Sequence, residues 1–252
     1  MGDQEQLSAS PPKWARRLTN WSLTAVLAAL VIAATGLTLA RYDLIGKLAG
    51  FSAFLGGAAL AAIGVLLALA ALLVGLKTGN VSRKWALVAL AVGAVYVGFI
   101  ATRPMSAGDA PAIHDVTTDL ANPPQFEMIA LRTDNLVGVG TVENWQQAHA
   151  AAYGDIGPVS VPLPVADATA QVVRLAQAEG WQIVANDPAR GHVEATASVS
   201  YIRFQDDVVF RITPVGSSSS RIDMRSVSRV GVGDLGVNAR RVRGFLRRLA
   251  AA

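Results

Sequence analysis

The chain has 252 residues, 52% of them hydrophobic and only 16% charged, where a soluble globular chain carries about 25% charge. Its mean hydropathy of +0.39 therefore places part of the chain in lipid. Cysteine is absent, which excludes disulfides, thiol catalysis and cysteine-ligated metals.

The net charge of +4 is unevenly spread. Up to Asp109, nine Lys/Arg stand against four acids; from residue 110 onward, thirteen Arg and no Lys stand against fourteen acids. The basicity thus belongs to the apolar half, where it orients helices. A nucleic-acid-binding domain would carry its own positive excess, so no nucleic-acid partner is expected.

Residues 1–20 read as a cytoplasmic N-terminal tail, and 21–102 as a membrane anchor of three transmembrane helices. Trp21–Ala40, Leu48–Leu76 and Trp85–Thr102 are uncharged runs, each long enough to span a hydrocarbon layer about 30 Å thick. The first follows the basic KWARR (13–17) as a signal peptide would, but it is too long for an h-region and reads as retained. Lys13, Arg16, Arg17, Lys77, Arg83 and Lys84 lie on one side, against Arg41, Lys47 and Arg103 on the other. That excess places the N-terminus inside and everything after Arg103 outside. Trp14, Trp21, Tyr42 and Trp85 sit near span ends, where amphipathic rings favour the interface. None of the three runs contains Asp, Glu, Lys, Arg or His, the residues of proton relays and ion sites. GGAALAAIG (56–64) offers small residues for close helix approach instead. The spans read as an anchor.

Residues 103–126, rich in Pro, Ala and Asp, read as an extended linker, followed by an extracytoplasmic α+β domain over 127–252. Helical composition appears at 142–153 and a short, proline-flanked edge strand at 157–163. A helical stripe runs over 165–178 and closes at Gly180. Four strands follow at 181–186, 192–204, 207–213 and 221–230. Breaks at Asp187-Pro188, Asp206-Asp207 and Gly216–Ser220 make them hairpins of a meander. Val242, Phe245, Leu246 and Leu249 mark a last helix over 238–249. The expected fold is one antiparallel sheet, β-α-β-β-β-β-α, with helices on one face.

With helices on one side, alternation leaves the other face open. Val193, Ala195, Ala197, Val208, Phe210, Ile212, Ile222 and Met224 take the core side. The open side carries Glu194, Thr196, Ser198, Arg211, Arg221, Asp223, Arg225 and Arg229. Such a face is either cross-strand ion pairs in water or an arginine-lined surface for an anionic ligand or partner.

Three stretches, 113–126, 194–212 and 220–246, resemble the bacterial and plastid domain-of-unknown-function family 1499 (DUF1499), over roughly residues 110–250. The three-span anchor resembles an arrangement in some proteobacterial members, which implies a bacterial inner membrane with the C-terminal domain periplasmic. The residues matching the family's motif are Asp115, Thr118, Asp119, Asp206, Asp207, Arg211, Arg221, Asp223, Arg225, Ser226, Arg229 and Asn238. The resemblance implies a domain identity and no reaction, so no catalytic role attaches to them. Arg211, Arg221, Asp223, Arg225, Arg229 and Asn238 form the candidate ligand or partner surface.

GVGDLG (231–236) matches the dinucleotide pattern G-x-G-x-x-G, but it follows the last strand of an antiparallel meander. Too little chain remains after it for a helix and another strand. It reads as a turn into the final helix, capped by Asp234 or Asn238, and no nucleotide or other cofactor is expected. His114, His149 and His192 lie far apart, without metal-ligand spacing, and no metal is expected. Asp206-Asp207 reads as turn chemistry. Arg240, Arg241, Arg243, Arg247 and Arg248 oppose the apolar stripe of the last helix, as a solvated face or one facing acidic headgroups. No nucleophile with a base in reach is visible. The sequence therefore favours a non-enzymatic envelope module that binds a protein or an anionic ligand. A structural membrane subunit, or a hydrolase using the Asp/Arg set, are the alternatives.

Overall fold

The computed structural model describes residues 13–78, 82–102 and 110–251, and the chain divides into two compact units, Met1–Ser106 and Ala107–Ala252. Residues 1–12 of the expected tail, and 103–109 of the expected linker, lie outside the described residues.

The first unit holds α1 (Lys13–Arg41), α2 (Lys47–Thr78) and α3 (Arg83–Ala101). Each contains a segment long and apolar enough to cross a membrane: Arg16–Arg41, Lys47–Lys77 and Arg83–Ala101. Small residues let the three helices close on one another. Ala29, Ala33, Ala58, Ala61 and Tyr96 form a buried cluster. A Cβ on Gly57 would lie 2.8 Å from the Ala29 carbonyl oxygen and 2.8 Å from the Tyr96 hydroxyl, so only glycine fits where α2 meets both neighbours. The Tyr96 hydroxyl donates to the Phe54 carbonyl at 2.5 Å, which satisfies a polar group that lipid could not. Between α1 and α2, the Lys47 ammonium donates to the Ala40 carbonyl at 2.8 Å and pairs with Asp43 at 2.8 Å. Trp14, Trp21, Tyr42 and Trp85 are all exposed.

The second unit runs β1 (Asp115–Thr117), α4 (Val142–Tyr153), β2 (Val159–Val161), α5 (Val165–Ala178), β3 (Gln182–Asp187), β4 (His192–Val199), β5 (Phe204–Pro214), β6 (Ser220–Ser228) and α6 (Val237–Ala251). All pairings are antiparallel, in the order β1-β6-β5-β4-β3, with β2 also on β6. The α+β architecture is the expected one. The core lies between the sheet and its helices: Val193, Val208, Phe210, Ile222 and Met224 pack against Val172 of α5 and Val242, Phe245 and Leu249 of α6. Phe245 stands 4.9 Å from both the Trp181 and Phe210 rings, stacking Trp181 over α6.

Three expectations are corrected. First, the described part of the linker, 110–126, belongs to the folded domain. Ile113 through Thr118 are buried and supply β1, which pairs Asp115–Thr117 with Val227–Arg225. The outer edge of this strand is filled by α4, whose Trp145 indole donates to the Asp115 carbonyl at 2.9 Å. The Thr117 amide donates to His149 Nε2 at 3.1 Å, so two side chains one turn apart finish an edge that would otherwise be open.

Second, the β4–β5 turn falls at 200–203, with Ser200 and Arg203 at φ 64° and 61°. Asp206 and Asp207 lie inside β5, opposite Ala197 and Thr196. Aspartates are poor strand residues, and these two are tolerated because each meets a guanidinium.

Third, the polar face is not open. Glu194, Thr196, Asp207, Val209, Asp223 and Arg225 are buried on it; the chain from Thr118 to Asn135 fastens onto Glu194, Asp223 and Arg225, and Arg229 lies on Thr196 and Asp207. The cover is fastened by charge, as follows.

Candidate functional site

The covering segment begins at Thr118, whose hydroxyl donates to Asp223 at 3.0 Å and accepts the Met224 amide at 3.0 Å. Asp119 follows. It pairs with Arg211 at 2.9 Å and approaches Arg221 at 3.7 Å, while Asp223 takes Arg211 at 3.3 Å and Arg221 at 3.1 Å. Two guanidiniums thus share two carboxylates. Burial alone would lift the Asp119 carboxyl, but the Asn122 amide and Arg211 outweigh it and hold the carboxyl below its ordinary range. The hydrogen bond to Asp223 raises the Arg221 guanidinium in turn. Within this quartet Asp223 is sealed, whereas the side chains of Arg211 and Arg221 remain 27% and 43% exposed.

Further along, Arg225 donates through Nε and Nη2 to both oxygens of Asp115, at 3.0 and 2.7 Å, and through Nη1 to the Pro124 carbonyl at 3.4 Å. Asn135 also donates to Asp115, at 2.6 Å. Beyond Phe126, the amides of Glu127, Met128 and Ile129 all donate to the Glu194 carboxylate, at 2.5, 2.9 and 2.7 Å. His192 adds a fourth contact at 2.8 Å. Burial pushes Glu194 up, yet these partners prevail and its carboxyl is lowered. Arg132 then donates to the carbonyls of Ser228 and Gly231, at 3.3 and 2.8 Å, and pairs with Asp134. An open cleft of about 590 Å³ remains beside this stretch, with Asp115, Arg132, Asn135, Trp145 and Arg225 among its lining residues.

At the far end of the same face, Arg229 forks onto Asp207 at 2.8 Å from two nitrogens and donates to Thr196 at 3.1 Å and Gln205 at 2.6 Å. The opposite, helix-covered face carries a separate group. Asn238 is fully buried: its amide accepts from Ser226 at 2.6 Å and donates to Ser228 at 2.9 Å and to the His114 carbonyl at 3.0 Å. Beside it, Arg241 pairs with Asp206 at 2.5 Å. Burial is the largest influence on Asp206 and raises its carboxyl, with Arg241 opposing.

The one candidate surface therefore resolves into parts. Arg211, Arg221 and Asp223 come together with Thr118 and Asp119. Arg225 joins Asp115 under the cover, and Arg229 joins Asp207. Ser226 faces α6 and bonds Asn238 there, so Asn238 is corrected from a surface residue to a buried bracket between β6 and α6. Its place in the first turn of α6 aims its side chain at the sheet.

The GVGDLG loop connects β6 to α6. The Asp234 carboxylate accepts the amides of Gly236 at 2.8 Å and Asn238 at 2.5 Å, and Gly236 sits at φ 75°. An antiparallel sheet followed by a final helix lacks the parallel β-α-β unit in which this pattern cradles a pyrophosphate. The helix N-terminus is filled by the chain's own carboxylate.

A family model described as a protein of unknown function, DUF1499, matches residues 115–249. The chain belongs to this family. No curated protein matched it. The matched stretch opens at Asp115, the first residue of β1, so the DUF1499 domain includes the segment that the linker reading had set aside.

Several residues organise the DUF1499 domain in ways the sequence reading does not give: Glu194, expected on an open face, anchors the cover; Asn135 is the second partner of Asp115; and Arg241, expected on the solvated face of the last helix, has its side chain buried against Asp206. Trp145 and His149 carried a signal, an i, i+4 aromatic pair on one helix face. Glu194 carried a weaker one, a lone acid amid apolar and small strand residues.

Proposed function

We propose that this protein is a membrane-anchored, non-enzymatic binding protein of the cell envelope. Its N-terminus lies in the cytoplasm and its DUF1499 domain outside the inner membrane of a bacterium. The domain presents a fixed edge, Arg211 and Arg221 with Asp119, to a protein partner or an anionic ligand. The Arg211–Asp119–Arg221–Asp223 quartet carries this reading. Its two half-exposed guanidiniums are held in place by carboxylates behind them, so their remaining N–H donors meet a partner with little ordering cost. The acids of this face are committed to guanidiniums and amides, and Asp119 and Glu194 are held in the charged form. That state suits a scaffold better than a proton donor.

The test is photo-crosslinking in native membranes from a benzophenone amino acid at position 213, which pairs with Arg221 across β5 and β6. A discrete adduct, absent when the crosslinker sits at Tyr201 and lost in the Arg211→Gln, Arg221→Gln double variant, is expected. Equal labelling from both positions would refute the assignment of the edge.

A further inference from the structure

An open cleft of about 560 Å³ lies between α4 and α6, away from the Arg211–Arg221 edge. Pro111, Ala148, Ala152 and Ala239 supply apolar lining, and Tyr153, Arg240 and Arg243 supply the polar part. Tyr153 is 5% exposed, and its hydroxyl oxygen has no hydrogen-bond partner among the described residues. Burial, and then Asp234, raise this phenol, so it keeps its proton and remains a donor. Among the described residues, the Arg240 guanidinium hydrogen-bonds only through Nη1, to the Leu235 carbonyl at 3.1 Å. Arg243 gives Nε and Nη2 to Asp155 and lies over the Tyr153 ring at 5.4 Å from its centroid, with Nη1 making no hydrogen bond among the described residues. A Cβ on Gly236, were there one, would lie 3.1 Å from Arg240 Nη1 and 3.8 Å from the Tyr153 hydroxyl. Arg240 Nη1 and the Tyr153 hydroxyl therefore flank Gly236, where the missing side chain keeps the cleft wall between them clear.

Among the described residues, no carboxylate or amide side chain lines this cleft. The two nearby acids are already engaged, Asp155 by Arg243 and Asp234 by the amides of Gly236 and Asn238. A buried hydroxyl without a partner is costly and calls for one. Donors arriving from three side chains suit a tetrahedral oxyanion, and the alanine walls suit a short apolar attachment.

We propose that this cleft binds a phosphate-bearing group with a short apolar attachment, held by the Tyr153 hydroxyl and the guanidiniums of Arg240 and Arg243. A phospholipid headgroup and a free phosphate ester share this chemistry. The site is separate from the Arg211–Arg221 edge, so failure of one leaves the other standing.

The test uses the full chain in non-ionic detergent, titrated with dihexanoyl phosphatidylglycerol, glycerol 3-phosphate, inorganic phosphate and, as an uncharged control, dihexanoylglycerol. Saturable elevation of the melting temperature by a phosphate-bearing probe is expected, with none from the control. Arg240→Gln and Tyr153→Phe should each weaken binding, Arg240→Gln by about tenfold, the loss of one charge-assisted hydrogen bond. Tyr153→Phe removes only an unpartnered hydroxyl, so its ligand-free melting temperature should equal or exceed that of the wild type. Response to the phospholipid alone identifies a headgroup site; response to the two soluble phosphates as well identifies a free-anion site. No saturable response to any phosphate probe, an equal response to dihexanoylglycerol, or affinity unchanged in both variants overturns the proposal.

Discussion

Asp115 and Arg225 meet as a two-point fork, at 3.0 and 2.7 Å, with side chains only 2% and 8% exposed. The pair ties the first strand of the domain to the last and lies beneath the covering segment. Breaking one partner strands a buried charge, which costs about 3–5 kcal/mol. Asp115→Asn should therefore lower the unfolding free energy by that order and shift the denaturation midpoint down. Asp115→Leu with Arg225→Met should be less destabilised than the single change, because no lone charge remains. Chemical denaturation of the three variants checks this, and an equal or larger loss in the double variant would contradict it.

The apolar elements were legible because their patterns are long. Three uncharged runs announce the spans, and Val242, Phe245, Leu246 and Leu249 announce α6. The segment that seals the sheet was not legible, for three physical reasons. At three residues, β1 is too short to show a period of two. Prolines at 123 and 124 mimic a linker while their carbonyl groups remain useful acceptors. And arginines alternating with acids look the same on a wet face as under a cover, since their partners lie about 100 residues away, as Asp115 does from Arg225. The Asp206-Asp207 turn reading failed likewise, because its counter-charges are tertiary.

The α4 contacts define the second prediction. His149 is lowered by burial, so it is neutral at physiological pH and Nε2 is free to accept the Thr117 amide. His149→Phe would leave that buried amide unpaired, at about 1–3 kcal/mol. A lower midpoint and faster exchange of the Thr117 amide are expected. An unchanged midpoint would show that α4 is not needed to finish the edge.

Orientation gives the third. The six-to-three excess of Lys/Arg supports the proposed location of the DUF1499 domain on the outer side. Alkaline phosphatase fused after Ala252 should be active and a fluorescent cytoplasmic reporter dark. The reverse pattern would move the proposed binding edge into the cytoplasm.

Glu194 tests most directly whether the charged sheet face is sealed by the segment it fastens. Because the carboxyl of Glu194 is lower in the fold than in the unfolded chain, its contribution is complete above the ordinary Glu range of about 4.3. It is lost as pH falls through the depressed folded value. The direct measurement is hydrogen exchange of the Glu127, Met128 and Ile129 amides in the full chain, wild type and Glu194→Gln, at neutral and acid pH. Strong protection at neutral pH is predicted in the wild type, with protection factors that fall on acidification and are reduced at every pH in the variant. Exchange of these three amides at unprotected rates in the wild type at neutral pH would mean that the face is open and that Glu194 fastens no cover.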